Sequence, residues 1–275
     1  MEVIYLTHLS TLKNLESHVM AIGFFDGVHL GHQELFKQAK EQARKLGIKS
    51  SALTFNPHPD EVIKGDTNRK YLTPLQEKIT KISQCGIDKL YIMKFDKKFS
   101  SLPPMDFINK YIIGMNVKHV VVGFDFTFGF RAQGNTKVLE RESFKGDFGL
   151  TVVPQKTYID TKISSTETRK LLREGNVEII PYYLGMNYQV KALINEPSQL
   201  DNTFSVNISD RYFLPKPGTY EVNIIFKNEV YVGEFNVLTN FKNELIIYDL
   251  ETSDLKEELT IEFLNRLRVM RAVLV

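Results

Sequence analysis

Cysteine, surplus charge of one sign and long apolar runs are all scarce in this sequence of 275 residues. Its one cysteine, Cys85, cannot form an intrachain disulfide, and the chain lacks the Cys/His spacing of metal sites, so we expect a reducing, cytoplasmic setting. The 35 basic and 33 acidic residues nearly balance, which gives no support for broad binding to nucleic acid or to a membrane surface. No apolar run approaches the roughly 18 residues that span a bilayer, and the first residues do not resemble a signal peptide. These absences favour an ordinary globular protein and leave its oligomeric state open.

The length favours two domains, and the first shows a regular alternation up to about residue 154. VMAIGFF (19–25) is typical of a buried strand. The stretch 30–47 predicts an amphipathic helix that ends at Gly47. Its apolar stripe is Leu35, Phe36, Ala39, Ala43 and Leu46.

Further strands are predicted at 50–55, 88–93, 119–126 and 150–154, and further helices at 73–86, 103–114 and 136–144. In the first of these helices Thr73 is the predicted N-cap and Pro74 the first helical residue. Strands and helices at this spacing predict an α/β fold, a parallel sheet with helices on both faces. Such sheets bind ligands beyond the carboxyl ends of their strands.

After about residue 182 the pattern changes to short segments rich in Val, Ile, Tyr and Phe. Strands are predicted at 187–194, 202–208, 218–226, 229–237 and 244–250, with a tight hairpin turn at Lys227 and Asn228. The final stretch, 259–275, fits a strand or a helix, and we predict a strand. The second domain is therefore expected to be a small antiparallel barrel or sandwich.

The stretch FFDGVHLGH (24–32) joins the first predicted strand to the helix after it. Backbone N–H groups at a helix start are unpaired and the helix dipole is positive there, so this position attracts phosphate. Gly27 permits a sharp turn, and Gly31 lets a ligand approach the backbone. His29 and His32 are neighbours on the first turn and can donate hydrogen bonds to one phosphate. The alternative is that one histidine caps the helix and the other is partly solvated; the strand, Asp-Gly turn and helix around them favour the phosphate site.

The motif G-x-F-D-G-V-H-x-G-H, present as residues 23–32, resembles the signature of the FMN adenylyltransferase domain of bacterial FAD synthetases, the riboflavin kinase/FMN adenylyltransferase family. Three further motifs follow in that family's order: TFNPHPDEV (54–62), VGFDFTFGFRAQG (122–134) and ISSTETR (163–169). The resemblance implies a Rossmann-like nucleotidyltransferase domain at 1–185. It implies a small antiparallel β-barrel domain, similar to the family's riboflavin kinase, at 186–275.

The resemblance implies that the chain transfers AMP from ATP to FMN with Mg²⁺, giving FAD and pyrophosphate. His29 and His32 would stabilise the reacting phosphate, Asp125, which we expect to be buried, would position the phosphates or their metal, and Arg169 would clamp the ATP phosphates. The implied ATP-binding residues are Gly23, Phe24, Phe25, Asp26, Gly27, Gly31, Ser164, Ser165 and Thr166. The implied FMN-binding residues are Asn56, Pro57, His58, Phe126, Phe128 and Arg131.

Each of the later motifs also has a purely structural interpretation. The two prolines around His58 fit a stiff surface turn. Phe126 and Phe128 fit the hydrophobic core. The residues 164–166 fit the N-cap of an ordinary helix, and Thr168 stands where the family usually has an aliphatic residue. These alternatives stay open on sequence alone.

The second domain departs from the kinase pattern. Where the family has G-R-x-L-G-F-P-T-A-N, this chain has QLDNTFSVN (199–207), which keeps a hydroxyl and Asn207 but lacks the proline, the glycines and the arginine. Phosphate cradles depend on glycines for close approach of the backbone, so we expect a degenerate barrel without kinase activity. Three alternatives stay open: a bifunctional enzyme with a divergent kinase site, a non-catalytic flavin-sensing protein, and a nucleotidyltransferase for another acceptor such as a pantetheine or glycerol phosphate.

Overall fold

The computed structural model describes residues 1–11, 15–197, 203–227, 229–238, 243–248 and 258–267, and the chain divides into two compact units. The first unit comprises Met1–Arg69 and Thr73–Lys162, and the second comprises Lys70–Leu72 and Ile163–Val275. The boundary between catalytic and barrel domains at residue 185 stays a prediction. No helix among the described residues is long and apolar enough to cross a membrane.

The first unit alternates strands and helices. Its strands are β1 (Glu2–Leu6), β2 (His18–Ile22), β3 (Lys49–Asn56), β4 (Lys89–Lys94), β5 (Val117–Gly123), β6 (Thr127–Phe128), β7 (Gly134–Asn135), β8 (Gly149–Val153), β9 (Thr157–Tyr158) and β10 (Thr161–Lys162). Its helices are α1 (Leu30–Leu46), α2 (Pro59–Ile63), α3 (Leu75–Gln84), α4 (Lys97–Ser100), α5 (Pro104–Ile108) and α6 (Thr136–Ser143), with 3₁₀ turns at Asp26–Val28 and Phe130–Ala132 and a π-helical turn at Asn109–Ile113.

The predicted parallel sheet is confirmed, in the order β1-β4-β3-β2-β5-β8. β2 pairs with β3 on one side and with β5 on the other, so the order of the strands reverses between β2 and β5. The crevice outside the carboxyl ends of strands at such a reversal is where open α/β sheets bind ligands. The loop after β2 carries the two histidines, and the loop after β5 carries Asp125.

Both faces of the sheet are buried, as a parallel sheet requires. In β2, Met20 and Ile22 join the hydrophobic cluster on one face, while Val19 and Ala21 join the cluster on the other. The predicted helix at 30–47 is confirmed as α1, which ends at Gly47 with φ 67°. Its predicted stripe is buried except at the last position, Leu46, which is 50% exposed.

The predicted cap of α3 is wrong. The helix begins at Leu75 with Pro74 at the N-cap position and no side-chain cap. The Thr73 hydroxyl instead accepts a hydrogen bond from the Gly27 N–H at 2.9 Å. The Thr73 N–H also bonds to this turn, at Asp26 Oδ1, so Thr73 is oriented towards the turn and not towards the helix that follows it.

The second unit contains the predicted antiparallel domain, which is a closed barrel and not a sandwich. Its strands are β11 (Tyr188–Pro197), β12 (Thr203–Ile208), β13 (Gly218–Phe226), β14 (Glu229–Val237), β15 (Glu244–Ile247) and β16 (Glu258–Arg266), and it also carries α7 (Ser165–Glu174), a 3₁₀ turn at Val177–Ile179 and α8 (Pro181–Leu184). β16 confirms the strand predicted near the end of the sequence over the described residues. Lys227, with φ 47°, lies in the predicted hairpin turn, and its neighbour Asn228 lies outside the described residues.

Candidate active site

The loop between β2 and α1 makes a sharp, strained turn. Phe25 (φ 59°), Gly27 (φ 79°) and Val28 (φ 46°) all lie in the left-handed region, which costs a non-glycine residue on the order of 1–3 kcal/mol. Within this turn the Gly27 N–H donates to the Thr73 hydroxyl and the Val28 N–H donates to the Phe25 carbonyl, so these groups hold the bend in shape. α1 follows at Leu30, and the positive end of its dipole attracts an anion to this position.

The start of α3 anchors this turn. The Asp26 side chain is buried at 2% exposure, and its Oδ1 accepts a hydrogen bond from the Thr73 N–H at 3.0 Å. The Thr73 hydroxyl in turn accepts from the Gly27 N–H. Gly23 leaves room for the turn, because a Cβ atom there would lie 2.6 Å from the Phe25 ring. The Asp26 carboxylate therefore holds the turn in place, and ATP binding by Asp26 stays a prediction.

His29 and His32 stack with their ring centroids 3.5 Å apart and their planes 19° from parallel. His29 is the N-cap of α1, and its Nδ1 accepts a hydrogen bond from the His32 N–H at 3.3 Å. The capping role considered from the sequence is therefore real. It also fixes the tautomer, because a neutral imidazole that accepts at Nδ1 carries its proton on Nε2. Nε2 of His29 is thus a hydrogen-bond donor.

Burial keeps both imidazoles neutral. Desolvation, helped by the charge of Lys162, lowers the pKa of His29 from 6.5 to about 4. Desolvation also lowers the pKa of His32 well below its usual value, and the positive charge of Lys78 acts in the same direction. His32 Nδ1 is buried without a hydrogen-bond partner among the described residues. At neutral pH the pair supplies uncharged hydrogen-bonding groups that are already desolvated.

The PHP loop follows β3 at the same end of the sheet. Asn56 and Pro57 are joined by a cis peptide bond. His58 caps α2, because its Nδ1 accepts from the Asp60 N–H at 3.0 Å. Its ring is nearly perpendicular to the Phe24 ring, at 76°, with centroids 4.3 Å apart. FMN binding by these loop residues stays a prediction.

The loop after β5 differs from the prediction in one respect. Asp125 was expected to be buried, but its side chain is 57% exposed. Its carboxylate forms an ion pair with Lys162, whose ammonium lies 4.7 Å from the centroid of the Phe124 ring. Water and the Lys162 ammonium stabilise the Asp125 carboxylate in this exposed position, so the charge does not need a buried partner.

The aromatic residues of this loop have different environments. Phe128 is 7% exposed and packs against Phe107 with ring centroids 5.1 Å apart, as its core interpretation predicted. Phe126 is partly buried and stacks on Phe128 at 5.6 Å. The Arg131 guanidinium lies 5.1 Å from the centroid of the Phe130 ring. FMN contacts by Phe126, Phe128 and Arg131 stay predictions.

The ISSTETR motif begins α7 in the second unit. Ser164 is the N-cap, and its hydroxyl accepts from the Glu167 N–H at 3.2 Å. Arg169 is half-buried and donates to the Ser165 carbonyl at 3.3 Å. Thr168, the departure from the family pattern, is fully buried and its hydroxyl donates to the Ser164 carbonyl at 2.9 Å. A threonine fits this buried position because its hydroxyl bonds within the helix.

Two lysines near the proposed site, Lys162 and Lys78, were not predicted from the sequence. Lys162 directly precedes ISSTETR, and that position is the signal that was available. Lys78 is 2% exposed and lies on the buried side of α3 with Ile82. A lysine that interrupts an apolar stripe was the signal there, since lysine is almost never fully buried.

The FSVN segment of the barrel is a regular strand. In β12, Phe204 and Val206 are buried while Ser205 and Asn207 are exposed, the alternation of an ordinary strand. The preceding residues 199–202, where the family's glycines and arginine would stand, lie outside the described residues. A cavity of about 470 Å³ in the second unit is lined in part by Lys70 and Asn207.

Comparisons with known proteins agree on one family. A family model described as FAD synthetase matches residues 11–167. A bifunctional riboflavin kinase/FMN adenylyltransferase of Bacillus subtilis is 40% identical over 86% of this chain and 77% of its own length. A protein of Listeria monocytogenes named FAD synthetase is 31% identical over 89% of this chain and 99% of its own length.

Among solved structures, a chain described as a macrolide-efflux protein from Streptococcus pneumoniae has a TM-score of 0.87 at 28% identity, covering 98% of this chain and 91% of its own. That likeness agrees with the parallel sheet and the closed barrel. The region that matches the family model covers more than half of the sequence and includes the histidine turn. The chain therefore belongs to the FAD synthetase family and is an FMN adenylyltransferase, a nucleotidyltransferase of FAD biosynthesis.

Proposed function

We propose that this FMN adenylyltransferase forms FAD at a single catalytic centre, built around His29 and His32, and that its barrel does not phosphorylate riboflavin. The observation that supports the centre is the stacked, neutral histidine pair at the start of α1, where the helix dipole favours an anion. We also propose a cytoplasmic enzyme, in keeping with the free thiol of Cys85.

The proposed reaction is an in-line displacement. A phosphate oxygen of FMN attacks the α-phosphorus of ATP, the bond from that phosphorus to the bridging oxygen of the β-phosphate breaks, and pyrophosphate leaves with the bonding electrons. No proton needs to be removed, because the FMN phosphate is already an anion. Catalysis then consists of positioning and of stabilising charge. The His29 Nε2–H is a preorganised donor for an oxygen that gains charge in the transition state.

Residues outside the histidine pair have proposed roles in holding the phosphates. The start of α7, from Ser164 to Arg169, would bind the β- and γ-phosphates. The described residues contain no group of three His, Cys, Asp or Glu that could hold a metal ion by itself. The exposed Asp125 carboxylate nevertheless fits Mg²⁺, which is often bound by one or two carboxylates together with substrate phosphates. Bound there, Mg²⁺ would neutralise phosphate charge.

Lys162 is paired with Asp125 and its charge acts on His29, and its proposed role is to bind a substrate phosphate beside the histidines. Replacing Lys162 with methionine is expected to raise KM for ATP or FMN on the order of 10-fold, because a charge-assisted hydrogen bond to phosphate contributes about 1.5–3 kcal/mol. Lys145→Met is the matched control, since it breaks the ion pair with Glu142 on the same unit and should leave both constants unchanged. Initial rates of pyrophosphate release measure the effect. Equal KM values in the two variants would show that Lys162 does not contact substrate phosphate.

The proposal of an inactive kinase rests on β12. Its FSVN segment is an ordinary strand, and the sequence before it lacks the glycines that let a backbone approach phosphate. One relative that aligns over almost its full length is named only as an FAD synthetase. The B. subtilis relative is named as bifunctional, so a retained kinase is the competing expectation.

One assay tests both halves of the proposal. The protein is incubated with ATP and Mg²⁺ and either riboflavin or FMN, and the three flavins are separated by chromatography. We expect FAD from FMN and no product from riboflavin. FMN formed from riboflavin would establish a bifunctional enzyme with a divergent kinase site. Flavin binding without any FAD would overturn the catalytic assignment and favour a flavin-sensing protein.

A further inference from the structure

Lys78 is a buried cation beside the proposed catalytic centre. Lys78 is only 2% exposed, and it lies near the start of α3. Removing an ammonium group from water is costly unless its donors are satisfied. Buried charges are also poor stabilisers compared with apolar side chains of similar size. A lysine in this place therefore calls for an explanation in terms of its contacts.

The contacts of Lys78 converge on Phe24, the first residue of the FFDGVHLGH stretch. Its Nζ donates to the Phe24 carbonyl at 2.8 Å and lies 3.7 Å from the centroid of the Phe24 ring. The Thr54 hydroxyl donates to the same carbonyl, also at 2.8 Å. The carbonyl directly precedes the left-handed Phe25. Two buried donors thus fix the peptide at which the strained turn begins.

The Phe24 ring extends this arrangement to the PHP loop. While the Lys78 ammonium lies over the ring, the His58 imidazole contacts the same ring in a T-shaped arrangement. The turn proposed for phosphate and the loop proposed for FMN therefore contact the same side chain. A desolvated cation–π contact of this kind favours one orientation of the ring.

We infer that Lys78 is a positioning residue of the adenylyl-transfer site: it holds the carbonyl and the ring of Phe24, and thereby sets where the histidine turn and the PHP loop stand for reaction. The inference rests on the proposed role of His29 and His32. Because a displacement of about 1 Å can cost roughly 100-fold in rate, a residue that holds this turn affects catalysis without touching substrate. Its positive charge has a second effect, since it helps to keep the His32 imidazole uncharged.

The test compares two lysines that bond to backbone carbonyls next to the same helix. Lys78→Met removes the ammonium at Phe24 and keeps an unbranched apolar side chain. Lys40→Met is the matched control, because the Lys40 ammonium donates to the Cys85 carbonyl at the other end of α3, at 2.5 Å. At a temperature well below both unfolding midpoints, we expect Lys78→Met to lower kcat about 10- to 100-fold with KM changed less than threefold. Lys40→Met should keep kcat within twofold of the wild type.

The outcomes separate this inference from the function itself. The double replacement of His29 and His32 with asparagine, run in the same assay, tests the proposed centre by itself: a large loss of kcat there upholds the centre whatever the lysine variants do, and an unchanged kcat overturns it. A kcat in Lys78→Met equal to that of Lys40→Met would overturn the positioning role, even if the unfolding midpoint falls. Should Lys78→Met not fold, Thr54→Val removes the second donor to the Phe24 carbonyl with little change of shape. We then expect a kcat about 3- to 10-fold lower, and an unchanged kcat would also overturn the inference.

Discussion

Replacing His29 and His32 together with asparagine is expected to lower kcat for FAD formation by about 1,000-fold, since the loss of one preorganised donor to a developing oxyanion costs roughly 100- to 1,000-fold. The two histidines stack and share the hydrogen bond from His32 N–H to His29 Nδ1, so their effects should not be additive. Asparagine is chosen because it is a good N-cap residue and can keep the start of α1 at position 29. Initial rates with saturating ATP and FMN measure the loss.

His119→Asn is the matched control for this variant. His119 is a half-buried histidine of β5, and its Nε2 is hydrogen-bonded to the Thr151 hydroxyl at 2.8 Å. It pairs with Gly149, the first residue of β8, at the amino end of the sheet, away from the histidine turn. Its kcat should stay within twofold of the wild type. If the double variant kept more than a tenth of the wild-type kcat, the histidines would be helix-capping residues only, the alternative that the sequence left open.

The pattern of apolar and polar residues along the sequence was sufficient to predict most of the fold. The period of α1 and its Gly47 cap are local signals, and the alternation of strands with helices leaves few topologies. The edge strand β1 was missed because only one of its five residues is buried, so it lacks the apolar pattern of the central strands. The choice between barrel and sandwich could not be made because closure depends on the pairing of β11 with β16, some 70 residues away.

The site was predictable only where a motif is contiguous. The 23–32 turn and the start of α7 are each encoded in one short stretch, whereas Lys78 reaches Phe24 across 54 residues of sequence. The use of Thr73 shows the same limitation, because its local interpretation as a helix cap was overridden by a contact with Gly27. The burial of a side chain likewise depends on the folded chain, which is why the predicted burial of Asp125 was wrong.

Mild acid is expected to destabilise the protein through its buried histidines. Desolvation lowers the pKa of His18 and of His29 from 6.5 to about 4 in the folded state. As the pH falls below about 6.5, the unfolded chain binds a proton at each of these residues before the folded protein does, so the free energy of unfolding decreases. Between about pH 6.5 and pH 5 the loss is about 1.5 kcal/mol for each histidine. Those 3 kcal/mol or so are a large share of the roughly 5–15 kcal/mol typical of a folded domain.

His18 offers the cleaner measurement because it lies at the amino end of β2, away from the histidine turn. Its Nε2 is buried without a hydrogen-bond partner among the described residues, and its ring packs against Tyr91 at 5.5 Å. Urea unfolding at several pH values should show a pH dependence that is weaker in His18→Gln by about 1.5 kcal/mol over this interval. Carboxylates contribute little there because their unfolded pKa values lie near 4. An equal pH dependence in the variant and the wild type would mean that His18 already titrates near pH 6.5 in the folded protein, and that burial does not hold it neutral.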